Sequence, residues 1–468
     1  MASINQGDDA VERLDNAVTA FEQIMTGQEG QTVAVPGHQP QPTLAERVKQ
    51  NLKPSTDEAA GYAAQASVSA KAADDAAKRA SQISRLETVA DAIGLAALPL
   101  PDVWAPLSDS LRLITGYGRD VLVGSDVVAR MVNFSRNSTA TYIGKDGQLK
   151  TAAANEPRFE KEGLLIEGQS QNIIPISNFP QNLASWSTPN PTGNLYSYVA
   201  APDRTSSAVK VSFAGDGFNQ PFPSLVVGTV YTFSFYAKNE TATDVNVSIM
   251  LGSGSGEGAV RIPANTAWTR YSVTRTFQAG DSTLRWYFST KNVEVSLWGT
   301  QLEALPFASS YIPTNGAAVT RAADVCWIPN ALNVTPDYGD ITIAMEVRRN
   351  LAIPPSVFPR AIHISDRQFV VADSARIMAR GGGVEQVNIS TAAPGTRERI
   401  AATIKGNTIA CFLNGIKATL PQTPILPVSN GTSCFIGSRN GLDGLFGHVR
   451  NVRIWQRTLS DEQIKAAA

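Results

Sequence analysis

From about residue 130 onward the chain alternates apolar and polar side chains with a period of two, and Gly, Asn and Pro turn signals separate the alternating runs. Successive side chains of a strand point to opposite faces, so such runs build sheets with one buried face. Tyr231, Phe233, Phe235 and Ala237 alternate with Thr232, Ser234, Tyr236 and Lys238. Val245, Val247, Ile249 and Leu251 alternate in the same way, as do Leu284, Trp286 and Phe288, and Val293, Val295 and Leu297. Residues 175–312 have the length of one jelly-roll sandwich. A second β block starts near residue 338, where Ile341, Ile343, Met345 and Val347 alternate. Two hairpin signals follow, Gly406-Asn407 and Asn414-Gly415. Ile400, Ala402 and Ile404 share one face of their strand, and Ile409, Cys411 and Leu413 share one face of the next. Ser460 and Gln463 make a capping box for a short final helix. The pattern predicts a mainly β protein with two tandem antiparallel β-sandwiches.

The front of the chain has a different period. Ala10, Leu14, Ala17, Val18, Phe21, Ile24 and Met25 recur at helical spacing, with Gly27 and Gly30 past the end. A Pro/Gly/Gln connector at 31–42 leads to a second short helix, with Thr43 and Glu46 in a TxxE box and Pro54 as the stop. Two such pieces bury too little to fold alone, so residues 1–54 are expected to order against a partner. From 55 to 94 the chain is Ala-rich. Ala59, Ala63, Ala66, Ala70, Ala73, Ala77 and Ala80 step alternately by four and three, a heptad seam that predicts an α-helical coiled-coil stalk. A lone helix of this length is marginal in water, and association of several copies keeps it folded. Residues 95–134, with Pro99, Pro101 and Pro106, read as a linker.

Composition excludes several classes. Forty Lys+Arg against 41 Asp+Glu leave a net charge of −1, which argues against a generally basic nucleic-acid binder. No apolar run approaches the roughly 18–20 residues of a membrane span, so no membrane insertion is expected. The N-terminus carries acids where a secretory signal has a basic start. Cys326, Cys411 and Cys434 read as buried small apolar side chains, and His38, His363 and His448 are far apart. No HExxH, GxSxG or Walker-type loop occurs, so no metal, cofactor or catalytic residue is assigned.

Residues 135–174 include Arg136, Ser138, Ala140, Thr141, Tyr142, Asn155, Pro157, Arg158, Phe159, Gly163, Leu164, Leu165, Glu167 and Asn172. Together with WGTQLEALPFASSYIPTNGAAVTRAAD at 298–324, this stretch resembles a recurrent module of bacteriophage tail fibres and receptor-binding proteins. In that family the two stretches bracket a jelly roll similar to carbohydrate-binding modules. The last block, ending at 435–466, is similar to a concanavalin-like, laminin-G-type sandwich. The resemblance implies five parts: a virion-anchoring segment at 1–54, a trimerisation stalk at 55–94, a linker at 95–134, a jelly roll with its flanking signature at 135–325, and a concanavalin-like sandwich at 326–468. It further implies a homotrimer in the virion, assembled in the host cytoplasm. The N-terminal part would meet a phage tail or collar protein, and the C-terminal domains a bacterial surface glycan or protein receptor. A structural adaptor linking tail proteins and a polysaccharide depolymerase are the alternatives.

Within the signature, Arg158 with Glu167 and Arg321 with Asp324 are expected as ion pairs in a hydrogen-bonded hub, since such groups are costly to bury unpaired. Tyr142, Tyr311 and Pro313 are expected to pack at the base of the jelly roll. Trp286 shares a face with Leu284 and Phe288 and is assigned to the core, as Trp298 is to packing. Tyr287 and Tyr236 then point outward. Aromatic faces stack on sugar C–H groups, so Tyr236 and Tyr287 are the candidate carbohydrate-binding residues. Arg439, Asn440 and Asp443 sit on a turn with too few carboxylates for a divalent cation.

Overall fold

The computed structural model of the chain describes residues 4–52, 67–73, 98–178, 195–214, 217–220, 225–251, 258–279, 284–334, 340–349, 359–364, 367–372, 376–381, 384–389, 395–405, 408–418 and 432–467. These fall into two compact units, Met1–Gly94 and Leu95–Ala468.

In the first unit, helix Ile4–Thr26 ends where expected, with the Gly27 amide donating to the Gln23 carbonyl. Part of the connector pairs as a tiny hairpin, Thr32–Val33 with Gln41–Pro42. Helix Leu44–Leu52 is capped by Thr43, whose Oγ1 accepts from the Glu46 amide at 3.2 Å. The TxxE box is only half made, because the Glu46 carboxylate bonds the Gly30 amide instead. Val11, Leu14, Val18, Phe21 and Met25 form an exposed apolar stripe on the first helix. Of the alanine seam, Ala70 and Ala73 lie in the helical stretch 67–73 and are exposed. Ala59, Ala63, Ala66, Ala77 and Ala80 lie outside the described residues, and a coiled coil is not among the described features.

The second unit contains two antiparallel sandwiches with separate cores. The jelly roll packs a five-stranded sheet, ordered Leu195–Val199, Ala208–Ser212, Glu294–Glu303, Val230–Asn239, Thr266–Thr276, on a four-stranded sheet, ordered Gly217–Gln220, Leu284–Phe288, Val245–Leu251, Ala259–Ile262. Its core is the alternating set read from sequence, with Phe233, Phe235, Val247, Trp286, Phe288 and Leu297 all buried. Trp286 stacks on Phe218 and meets Phe233 edge-on.

The other sandwich faces an eight-stranded sheet with a seven-stranded one. Ile341, Ile343, Met345 and Val347 pack there against Ile400, Ala402, Ile404, Ile409, Cys411 and Leu413. The three cysteines are free and buried, as expected. Asn414 and Gly415 both have positive φ, as the predicted two-residue turn requires. The other hairpin signal, at 406–407, lies outside the described residues. The final helix, Asp461–Ala467, carries its capping box complete: Gln463 N donates to Ser460 Oγ at 3.2 Å, and Ser460 N to Gln463 Oε1 at 3.0 Å.

Sheet membership departs from the expected tandem boundaries. Strand Val103–Ala105 pairs with the long C-terminal strand Gly447–Trp455, Val103 opposite Ile454. Asn133–Ser135 pairs with Val325–Pro329, and Gly163–Ile166 pairs with Gly447–Trp455. Leu107, Leu111, Leu113 and Val132 are buried in the same core as Ile343 and Ile454. Both ends of the stretch 98–134 therefore belong to the C-terminal sandwich, and Arg112–Leu113, Arg119–Val123 and Asp126–Met131 between them make a three-stranded sheet of their own. The stretch is folded and is not a linker, and that sandwich begins far before residue 326. The prolines that read as linker punctuation flank a three-residue strand, too short to show a period. The jelly roll is inserted into this frame. The chain enters it along Ser170–Asn172 and leaves along Val319–Arg321, and these two strands pair antiparallel as a neck.

Candidate functional site

At the neck lies the predicted hub. Arg136, Arg158, Arg321, Glu167, Glu303 and Asp324 are all buried, three cations with three anions. Arg158 Nη1 donates to Glu167 Oε2 at 2.7 Å, and its Nη2 to Asp324 Oδ2 at 2.6 Å. Arg136 Nη1 reaches Asp324 Oδ1 at 3.0 Å. Arg321 pairs with Glu167 at 2.9 Å rather than with Asp324, because its fork also caps the Gly168 carbonyl. Ser310 donates both its amide and its hydroxyl to Glu167, while Glu303 accepts from Ser170 and Ser309. Residues from the frame and the jelly roll thus meet in a single network, in which Arg158 Nε and Arg321 Nε are buried without an acceptor among the described residues.

Burial alone would push the Glu167 carboxyl up, but the charges of Arg321 and Arg158 outweigh it and hold the group well below the ordinary carboxylate range. A carboxylate depressed on folding stabilises the fold above its unfolded value near 4.5, and that stability is lost as pH falls through the lower folded value. Glu167→Gln is expected to lower stability at pH 7 and to flatten the fall of stability below pH 4.5, read by urea unfolding at a series of pH values. An unchanged acid limb would remove Glu167 from that role.

Next to this cluster opens a cleft of about 680 Å³ between the jelly roll and the frame. The hairpin Ala140–Ile143 with Leu149–Ala152 contributes Tyr142 and Leu149 to its lining. The jelly roll contributes Tyr236, Trp268, Arg270 and Ser309–Tyr311, and the frame contributes Arg348, Phe446 and His448. Strand register brings the jelly-roll residues together: Tyr236 lies opposite Arg270 on one side and opposite Trp298 on the other. Trp268, two residues before Arg270, sits on the same face, half-buried against the Tyr236–Trp298–Tyr311 cluster. Arg270 lies over the Tyr236 ring and donates to Ser234 Oγ at 2.9 Å and to the Ser309 carbonyl. On the opposite wall, His448 Nε2 and Glu160 Oε2 are 2.8 Å apart.

The candidate aromatics fare differently. Tyr236 does not point outward: it is only 7% exposed, and burial pushes its hydroxyl pKa up. The polar face of its strand is covered by residues 305–311, whose backbone bonds Thr232 and Arg270. Alternation identifies a polar face but not whether more chain lies over it. Tyr236 nevertheless reaches the cleft lining. Tyr287 is half-buried on the outer face of the four-stranded sheet, beside Lys291, and does not line the cleft. Trp298 is buried and donates to Ser207 Oγ, which fits its packing assignment. Tyr311 is buried with its hydroxyl 2.6 Å from Ser177 Oγ, Tyr142 is half-buried in the cleft wall, and Pro313 is exposed instead of packed. Asp443 is held by Arg360 and Arg439, and among the described residues no group of three or more potential metal ligands occurs. Trp268 and Arg270 were not singled out; their signal is a large aromatic and an arginine spaced two apart in an otherwise Thr/Ser-rich strand.

A family model described as the Concanavalin A-like lectin/glucanases superfamily matches residues 329–465. The matched stretch is thus a concanavalin-like domain, and the chain is mostly β, built from several antiparallel sheets. A search of curated proteins gave no match. Among solved structures, the chain is similar to domain 4 of the extracellular arabinanase AbnA from Geobacillus stearothermophilus, in complex with arabinotriose, at 10% identity over 35% of this chain and 82% of that one, with a TM-score of 0.22. It is also similar to the tandem CBM22 domains of Paenibacillus barcinonensis Xyn10C, at 10% identity over 61% and 96%, TM-score 0.22. The enzymatically active domain of tailspike protein 4 of bacteriophage CBA120 is similar at 16% identity over 28% and 21%, TM-score 0.21. At these values the likenesses carry no argument about activity.

Proposed function

We propose that this chain is a non-enzymatic adhesin of a phage tail fibre, present as a homotrimer, which attaches the virion to a bacterial surface glycan through the cleft between its two sandwiches. The observation that carries the reading is the cleft lining. Trp268 and Tyr142 offer aromatic faces to sugar C–H groups, and Arg270, Glu160 and His448 offer directional polar groups beside them. Glu167, which also lines it, is held ionised by two arginines and cannot act as the proton donor that glycoside hydrolysis needs. Three linked copies would multiply weak contacts into avidity. In this reading the first unit docks on a tail or collar protein through the exposed apolar stripe of its first helix.

A glycan array probed with the full chain tests the proposal. Binding to bacterial surface saccharides is expected, and Trp268→Ala is expected to weaken it by about thirtyfold, or ~2 kcal/mol. Binding unaffected by that substitution would move the site elsewhere. Release of reducing ends from host polysaccharide would favour the depolymerase reading.

A further inference from the structure

We infer that the cleft selects an anionic saccharide, one whose ring bears a carboxylate or a phosphate ester. The inference rests on the glycan-binding reading and names the ligand class for that site. The argument is one of charge. The charged groups lining the cleft are Arg270, Arg348, Arg349, Glu160 and Glu167, with His448 beside Glu160. Glu167 is already neutralised by Arg158 and Arg321, inside a cluster whose own charges balance. Arg349 is buried and paired with Glu398 at 2.7 Å. Glu160 is engaged by the Ile143 amide at 2.7 Å and by His448.

Two cations remain. Arg270 bonds only neutral acceptors, Ser234 Oγ and the Ser309 carbonyl, and no carboxylate among the described residues is within ion-pair distance of it. Arg348 uses its Nε on the Gly395 carbonyl, and the carboxylate that feels its charge, Glu162, is already paired with Arg397 at 2.6 Å. Even with Glu160 counted at full charge and His448 neutral, the lining keeps an excess of one positive charge. The excess sits in a concave site, where a charge acts more strongly than on an open surface. Glu160 and His448, on the wall that Arg348 shares as the strand partner of His448, serve as acceptors and donors for sugar hydroxyls. A guanidinium fork suits a carboxylate or phosphate and has no comparable preference for a hydroxyl. Trp268, in the same strand as Arg270, supplies the ring contact for the sugar that carries the anion.

The test is titration calorimetry of the full chain with three probes: oligogalacturonate, a mannose 6-phosphate-bearing oligosaccharide, and a neutral oligosaccharide of equal length. At least one anionic probe is expected to bind about tenfold or more tighter than the neutral one, with affinity falling as salt rises. The two anionic arms separate carboxylate from phosphate recognition. Arg348→Gln is expected to remove that preference. Arg348 lies at the cleft rim with an exposed part, so its replacement spares the core. Equal binding of neutral and anionic probes overturns the charge assignment and leaves the glycan reading intact. Preference retained in both Arg348→Gln and Arg270→Gln overturns it as well. No binding of any probe, together with a blank glycan array, overturns the glycan reading and this inference with it.

Discussion

Arg158→Ala is expected to destabilise the second unit by about 3–5 kcal/mol, the range for removing one partner of a buried ion pair. The side chain is fully buried and touches Glu167, Asp324, Ser310 and the Thr141 carbonyl. Removing it leaves two carboxylates in a dry site with one arginine each. The cost comes from that stranded charge, more than from the lost attraction. The comparison is Lys150→Ala. Its pair with Asp146 is about half exposed on both sides, where water and salt screen the attraction, and only a small loss is expected. Urea midpoints of the two variants check the contrast. Equal losses would mean that the buried cluster does not hold the neck.

The second large effect is a truncation. A fragment starting at residue 98 keeps the whole frame, whereas one starting at residue 136 loses strands Val103–Ala105 and Asn133–Ser135. It also loses Val103, Leu107, Leu111, Leu113 and Val132 from the core. At about 1.5–3 kcal/mol per buried aliphatic side chain, these five contribute on the order of 10 kcal/mol. Typical domains have only about 5–15 kcal/mol in total. The backbone links go too, including Trp455 Nε1 to the Pro99 carbonyl and the Gln456 amide to Asp102. The shorter fragment is expected to lose cooperative thermal unfolding by near-UV circular dichroism. A 136–468 fragment that melts like the 98–468 fragment would show that 98–135 is a linker after all.

Much of the β architecture could be read from residues, because the inward faces of both sandwiches carry apolar side chains at every second position. Phe233 and Trp286, Ile343 and Ile404 are buried where the alternation puts them. The capping box at Ser460 needed only local chemistry. What stayed hidden were relations between distant segments. The strand at 103–105 has no period of its own, and only its partner 350 residues later defines it. Tyr236 looked exposed because the segment covering its face comes seventy residues downstream. The cleft failed for the same reason: Trp268, Tyr142 and Arg348 come from three different stretches, and their meeting is a property of the insertion. The ionic hub was half visible, since Arg158 and Glu167 are close in sequence, while Arg321 takes Glu167 and leaves Asp324 to Arg136 and Arg158.

The neck brings Asn172 and Val319 side by side as paired residues of adjacent strands. The frame therefore closes across a gap of about 5 Å whatever the length of chain hanging from it. Closing a longer or shorter excursion changes the entropy by only about 0.6 kcal/mol per doubling. The intervening stretch is in this sense a transplantable cassette, and a foreign β-sandwich of another size can be spliced at the same two positions. One condition travels with it: the incoming piece must carry its own equivalents of Glu303, Ser309 and Ser310, because the frame's buried arginines and Glu167 take their last hydrogen bonds from the guest.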